Sequence, residues 1–229
     1  MTMQLRHPLS SVELETLIDD ALGTAPRRHL YRDLFKRGLD VTLVLVAAIP
    51  VLMVLVVLCA LIALDGKSPI YLQKRLGRSG RVFYMWKLRS MVADADHMLE
   101  THLASDPALR REWDRTQKLR HDPRITRIGK IIRKTSLDEL PQLWNVLRGD
   151  MSLVGPRPMM VEQQALYPGT AYYALRPGIT GFWQTSLRNE SSFAERAGFD
   201  TDYLRKLSFG TDVAVLLRTV KVVVNGTGC

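Results

Sequence analysis

The stretch RKTSLDELPQLWNVLRGDMSLVGPRP, residues 133–158, carries features that predict both a local fold and a chemistry. Two adjacent carboxylates, Asp138 and Glu139, follow a basic run and precede the rigid segment Gly155–Pro158. A carboxylate pair in a cationic frame suits phosphate chemistry, because one acid can attack or take a proton while the other binds a divalent cation. Asp138 and Glu139 are therefore the candidate catalytic residues.

The same residues allow a purely structural interpretation. Ser136–Glu139 matches a capping box, in which the serine hydroxyl caps a helix and the glutamate reaches back to the first amide. Leucine and valine then recur at helical spacing, which predicts a helix. The two interpretations are compatible, since a helix N-terminus attracts anions.

The composition favours one domain with an anionic partner. The chain has 229 residues and a formal net charge of +9. Nucleic acid, an acidic membrane surface and a phosphorylated substrate all suit that charge. The two cysteines, Cys59 and Cys229, show no disulfide or zinc spacing, and the five histidines form no metal-binding helical pair.

An uncharged apolar run, VTLVLVAAIPVLMVLVVLCALIAL, covers residues 41–64 and predicts a membrane helix. Basic residues lie on both sides of it, and the positive-inside tendency places both flanks in the cytoplasm. A straight span cannot satisfy both flanks. Pro50 disfavours helical geometry at Ile49, so we expect a bend there and a re-entrant helix.

Two further patterns surround the membrane segment and the carboxylates. Short β-like runs at Ile70–Gln73 and Val82–Leu88, joined by Gly77–Gly80, predict a hairpin whose basic side chains bind phosphate or are simply solvated. Arg124–Lys134 has the pattern of an amphipathic helix, which lies either at the membrane interface or against the core. A polar, mostly helical stretch, interrupted near Pro107, lies between them.

The C-terminal third adds a turn and a helix. A turn at Arg176–Gly178 precedes Phe182, Trp183 and Gln184, which could flank a base or sugar or belong to the core. The last segment has apolar residues near helical spacing, with Asp212 as a cap or a buried functional acid.

The motifs RITRIGKIIRKTS, LDELPQLWNVLRGDMSLVGPRP and RPGITGFWQ, in this order, closely resemble the bacterial sugar transferases. These are monotopic phosphoglycosyl transferases, and the resemblance runs from about Lys36 to the C-terminus. It implies an α+β, mostly α fold: a re-entrant membrane helix followed by a small interfacial catalytic domain with a short β-hairpin and amphipathic helices. The expected parts are an N-terminal extension at 1–35, the membrane helix at 36–66, broken at Pro50, and a catalytic domain at 67–229 on the cytoplasmic face of the bacterial inner membrane.

The resemblance also implies a reaction. A sugar 1-phosphate moves from a UDP-sugar to polyprenyl phosphate, and galactose or glucose is the expected sugar. Asp138 is implied as the nucleophile that forms a covalent phosphosugar intermediate, and Glu139 as the ligand of Mg²⁺. Arg133, Lys87, Arg157, Arg75 and Gln184 are the expected substrate or phosphate contacts, with Asp212 as a supporting acid.

Three alternatives stay open. Asp138 could act as a general base for direct transfer. The chain could instead be a membrane-tethered protein that binds anionic lipid, or a scaffold for polysaccharide assembly, without catalysis. Nucleic acid is disfavoured as a partner because the basic residues cluster around the membrane segment and the carboxylate pair, with no recognised binding motif. A homodimer is compatible with one shallow anchor.

Overall fold

A computed structural model describes residues 30–92, 94–116, 119, 122–186 and 193–224. Most of the N-terminal extension predicted for residues 1–35 lies outside these ranges. The described chain is mostly helical, as predicted, and it has two small sheets, of which only the hairpin was predicted. Its helices are α1 (Lys36–Ala63), α2 (Ala95–Ser105), α3 (Pro107–Thr116), α4 (Arg127–Lys134), α5 (Gln142–Arg148), α6 (Ala171–Ala174), α7 (Phe182–Thr185), α8 (Arg196–Lys206) and α9 (Phe209–Val224), and its strands are β1 (Ile70–Leu76), β2 (Val82–Leu88), β3 (Ser152–Val154) and β4 (Gly178–Thr180).

The predicted hairpin is confirmed. Strands β1 and β2 pair antiparallel over their whole lengths, with Tyr71 opposite Lys87 and Leu76 opposite Val82. The turn between them places Ser79 in the left-handed region, at φ 56°. A second, parallel pair joins β3 to β4, and these three-residue strands are too short to produce a readable sequence pattern.

Helix α1 is the one described helix that is long and apolar enough to cross a membrane. A π-helical turn at Tyr31–Phe35 leads into it, and Pro50 lies inside the helix without ending it. The predicted bend at Ile49 and Pro50 therefore stays a prediction. The middle of the helix exposes large apolar side chains, among them Val46, Ile49, Leu52 and Val56.

The N-terminal part of α1 is fixed to the globular domain by polar contacts. Arg37 donates hydrogen bonds to the carbonyl oxygens of Val146 and Leu147 at the end of α5. Asp40, only 3% exposed, accepts hydrogen bonds from the Ser152 hydroxyl at 2.7 Å and the Leu153 amide at 3.1 Å. Such bonds satisfy a carboxylate that would otherwise be costly to bury.

The C-terminal end of α1 contacts the same domain. Ile62 is buried in a cluster with Leu88 of β2 and Ile132 of α4. Beyond the helix, Asp65 accepts hydrogen bonds from both terminal nitrogens of Arg89, at 2.6 and 2.7 Å. Both ends of the apolar helix thus contact one globular body, and its exposed apolar middle lies between them.

Helix α4 only partly matches the interfacial prediction. Ile132, within the predicted amphipathic helix, is 1% exposed and packs on Ile62 and Leu88. The core-facing alternative therefore holds for Ile132, because the end of α1 covers it. Ile131, on another side of the helix, is 64% exposed.

Asn145 fixes α5 to the hairpin. Its side chain is fully buried, accepts a hydrogen bond from the Trp86 amide at 3.0 Å and donates one to the Tyr84 carbonyl at 2.8 Å. Trp86 immediately precedes Lys87, so this contact sets the position of the lysine relative to the turn that leads into α5.

Candidate active site

The two candidate catalytic carboxylates lie in a short turn between α4 and α5. Leu137–Glu139 forms one turn of 3-10 helix, and α5 begins only at Gln142, after Pro141. Ser136 has left-handed geometry, at φ 56°, and its side chain caps no amide. The predicted capping box is therefore wrong: the backbone carbonyl of Ser136, not its hydroxyl, accepts the hydrogen bond from the Glu139 amide.

Lys87 connects the two carboxylates. Its ammonium nitrogen is 3.7 Å from a carboxylate oxygen of Asp138 and 3.1 Å from one of Glu139. All three side chains are less than one-fifth exposed, so solvent screens these charges less than at an open surface. The structure thus brings together the predicted catalytic pair and one of the predicted phosphate contacts.

Arg157 approaches the pair from the opposite end of the quoted stretch. Its terminal nitrogen is 3.7 Å from the Glu139 carboxylate. The backbone before it is fixed by Gly155, whose amide donates to the Thr180 carbonyl at 2.8 Å. A Cβ at Gly155 would lie 2.4 Å from the Arg176 carbonyl oxygen, so only glycine allows the strands to approach this closely.

The environment of Asp138 has opposing effects on its pKa. Burial raises the pKa above the ordinary value of an aspartate, and the negative charge of Glu139 adds to this rise. The positive charges of Lys87 and Arg133 lower it. Arg133, in the last turn of α4, is therefore one of the charges that favour the ionised carboxylate, and its contact with phosphate stays a prediction.

The remaining predicted contacts lie near Arg157. Arg75 donates hydrogen bonds to the carbonyl oxygen of Pro158 at 3.1 Å and to the Gln73 side chain at 2.6 Å. Gln184 is 1% exposed and belongs to the short helix α7 together with Trp183, over whose ring Arg157 lies. Whether Arg75 or Gln184 contacts a substrate stays a prediction.

Asp212 belongs to a separate buried network. Its carboxylate, 1% exposed, pairs with Lys36 at 2.7 Å and accepts hydrogen bonds from the hydroxyls of Tyr31 at 2.7 Å and Tyr203 at 2.6 Å. Burial and the Asp212 charge raise the pKa of Tyr203 well above its ordinary value, so this phenol stays protonated and donates. Asp212 thus fixes the start of α1 to α9, and its role as a supporting acid stays a prediction.

The carboxylate pair offers limited metal ligation by itself. Among the described residues, no three His, Cys, Asp or Glu side chains converge on a potential metal site. Magnesium in phosphate-processing sites is held by one or two carboxylates together with substrate phosphates and waters. The pair fits that kind of site, with Glu139 as a protein ligand, and does not fit a cage made of protein ligands alone.

Comparison with known proteins decides the family. The sequence profile of the bacterial sugar transferases matches residues 31–226. The chain belongs to this family. The chain is 48% identical to the UDP-galactose-lipid carrier transferase of Erwinia amylovora over 195 residues, an alignment that covers 84% of this chain and 41% of the relative.

Two further relatives differ in length. The undecaprenyl-phosphate galactose phosphotransferase of Salmonella typhimurium is 48% identical over 166 residues, covering 72% of this chain and 35% of the relative. The exopolysaccharide production protein ExoY of Sinorhizobium fredii is 41% identical over 191 residues, covering 82% of this chain and 84% of the relative. The chain thus spans less than half of the first two relatives and most of the third.

Sequence reasoning missed the residues that position the site. Asn145 and Lys36 carry no local signal, because their partners are distant in sequence. Asp40 did carry a local signal, because a carboxylate directly beside a long apolar run needs a partner within the protein.

Substitutions of Ser136 test whether the backbone of this turn positions the carboxylates of Asp138 and Glu139. A β-branched residue is strained at positive φ, whereas glycine is not. We expect Ser136→Val to lower kcat at least tenfold and Ser136→Gly to retain most of the activity. Ser79→Val, at the same φ on the hairpin turn, is the matched control and should leave kcat within about twofold. Equal losses in Ser136→Val and Ser79→Val would contradict a positioning role for Ser136.

Proposed function

We propose that this sugar transferase moves a sugar 1-phosphate from a UDP-sugar to polyprenyl phosphate, as the first membrane step of exopolysaccharide assembly. The observation that carries the proposal is the Lys87 bridge to both Asp138 and Glu139, with Arg157 beside it. Cations on a carboxylate pair allow an anionic nucleophile to approach an anionic diphosphate. The names of the Erwinia amylovora and Salmonella typhimurium relatives support a UDP-sugar donor, a polyprenyl-phosphate acceptor and galactose as the sugar.

Asp138 acts as the nucleophile. An Asp138 oxygen forms a bond to the phosphorus that bears the sugar, the bond from that phosphorus to the bridging oxygen breaks, and the electron pair leaves with UMP. An oxygen of polyprenyl phosphate then attacks the same phosphorus and displaces the Asp138 carboxylate. The product is polyprenyl diphosphate sugar, and the aspartate returns to its starting state.

A general-base role suits Asp138 less well than the nucleophilic role. The second pKa of a phosphate monoester is about 6, so the acceptor phosphate carries no proton that a base must remove at neutral pH. Burial raises the pKa of Asp138, and the positive charges of Lys87 and Arg133 oppose this rise and favour the ionised carboxylate that attacks phosphorus.

Glu139 would hold Mg²⁺ together with the donor phosphates. The ion would supply positive charge that offsets the negative charge of the diphosphate. Lys87, at 3.1 Å from Glu139, holds this carboxylate beside Asp138. Arg133 and Arg157 would bind phosphate oxygens through their planar guanidinium groups.

The membrane helix would dip into one leaflet and return. Its two ends contact the same domain through Asp40 and Ile62, and the basic flanks favour one cytoplasmic face. This arrangement would place the carboxylates at the interface where a soluble donor and a lipid acceptor meet.

The covalent intermediate gives the direct test of the mechanism. We expect a donor labelled in its sugar phosphate to label the wild-type protein in the absence of acceptor, and added polyprenyl phosphate to remove the label. Asp138→Asn should show neither label nor UMP release. Turnover without any trapped label would favour the general-base alternative, and folded protein that turns over no donor would favour a lipid-binding or scaffold role.

The pH dependence tests the influence of Lys87 on Asp138. Asp138 must be ionised to attack, so kcat/KM falls as the pH drops through its pKa. Lys87→Met removes a charge that lowers this pKa. We expect the acidic limb of the profile to move to higher pH by about one unit.

The matched control is Lys74→Met, which removes an exposed lysine from the same hairpin. Its acidic limb should coincide with that of the wild type. A Lys87→Met variant that loses rate without a shift of the limb would mean that Lys87 does not control the ionisation of Asp138.

A further inference from the structure

Arg196, the first residue of α8, stacks against the aromatic residues that border the site. Its guanidinium carbon is 4.1 Å from the centroid of the Trp183 ring and 4.6 Å from that of Phe193. The guanidinium carbon of Arg157 is 5.9 Å from the same Trp183 centroid. Two arginines therefore share one indole, and one of them also contacts Glu139.

Arg75 adds a third positive charge. Burial and the charge of Arg157 lower the pKa of Arg75 to about 10. Burial and the charges of Arg157 and Arg75 lower the pKa of Arg196 to about 10, against the opposing effect of Asp200. The charges of Arg157 and Arg75 thus both act on Arg196, and we call Arg75, Arg157 and Arg196 the arginine cluster.

The protein compensates this cluster only in part. Within the described ranges, neither Arg75 nor Arg196 has a carboxylate at ion-pair distance, and the Nε atom of each is buried without a hydrogen-bond partner. The hydrogen bonds of Arg75 go to neutral oxygens of Gln73 and Pro158.

Asp200 neutralises little of the excess charge. Its carboxylate accepts a hydrogen bond from the Tyr167 hydroxyl at 2.6 Å, and burial raises its pKa to about 7. Three neighbouring guanidinium groups, two of which have a buried Nε donor without a partner, are costly to maintain without an anion. The cluster is therefore built for an anionic ligand.

We propose that Arg196, together with Arg75 and Arg157, binds the nucleotide phosphate that leaves in the first step. This inference rests on the proposed function. As the Asp138–phosphorus bond forms and the bridging phosphorus–oxygen bond breaks, the electron pair passes to the nucleotide phosphate, which gains one negative charge. The sugar-bearing phosphate must lie against Asp138 and Lys87, so the cluster beyond Glu139 receives the phosphate next to it.

The test compares binding of UMP, inorganic phosphate and uridine to the detergent-purified full-length protein by calorimetry. Arg196→Gln should weaken binding of UMP and phosphate about tenfold or more, since a charge-assisted hydrogen bond is lost. Arg196→Lys should weaken it less, and uridine binding should not change. Arg205→Gln, which removes an exposed arginine of the same helix, should bind UMP as the wild type does.

Steady-state kinetics shows whether the arginine cluster binds the phosphate of the nucleotide donor or that of polyprenyl phosphate. We expect Arg196→Gln to raise KM for the donor and to leave KM for polyprenyl phosphate within twofold. A rise confined to the KM for polyprenyl phosphate would overturn the assignment of the cluster to the nucleotide phosphate. Unchanged UMP binding in Arg196→Gln, with a wild-type melting temperature, would overturn the role of Arg196 altogether.

These outcomes are distinguishable from failure of the proposed function. Wild-type turnover combined with unchanged UMP binding in Arg196→Gln rejects the inference alone. The proposed reaction would be rejected if the wild type turned over no donor. The anion site would be retained in that case if the wild type bound phosphate and Arg196→Gln did not.

Discussion

The buried ion pair between Lys36 and Asp212 is the constraint on which the placement of the membrane helix depends. Desolvating two charges costs more than their attraction returns unless further hydrogen bonds satisfy them. Here the hydroxyls of Tyr31 and Tyr203 donate to Asp212, and Tyr203 also donates to the Val154 carbonyl of β3 at 3.2 Å. The start of the membrane helix, the last helix and the strand before Arg157 are thereby held in one buried network.

From this anchored framework, the site is assembled from three separate parts of the chain. Strand β2 supplies Lys87, the strained turn at Ser136 supplies the two carboxylates, and the segment after β3 supplies Arg157. Asn145 joins the hairpin to α5, so the lysine and the carboxylate turn keep a fixed relation. The arginine cluster then extends the positive region from Glu139 to α8. In the proposed reaction, this preorganised positive charge would stabilise the diphosphate of the donor, which is the chief requirement of phosphoryl transfer.

Local patterns predicted the parts of this protein whose causes are local. The hairpin followed from two β-like runs around Gly77–Gly80, and the cationic surroundings of the two adjacent carboxylates followed from the basic residues near them. The capping box failed because Pro141 has no amide hydrogen to bond to an earlier carbonyl, so the α-helix starts after it and Ser136 takes a left-handed turn instead. The Lys36–Asp212 pair could not be predicted, since it joins residues 176 positions apart.

The topology of α1 tests the central claim most directly, namely that one domain holds both ends of an apolar helix on one side of the membrane. Single-cysteine variants Leu34→Cys and Lys67→Cys, in a background of Cys59→Ser and Cys229→Ser, would be labelled with an impermeant maleimide in right-side-out and inside-out vesicles. The account predicts that both positions react only in inside-out vesicles, while Ile49→Cys is protected in both. Labelling of the two ends from opposite faces would contradict it.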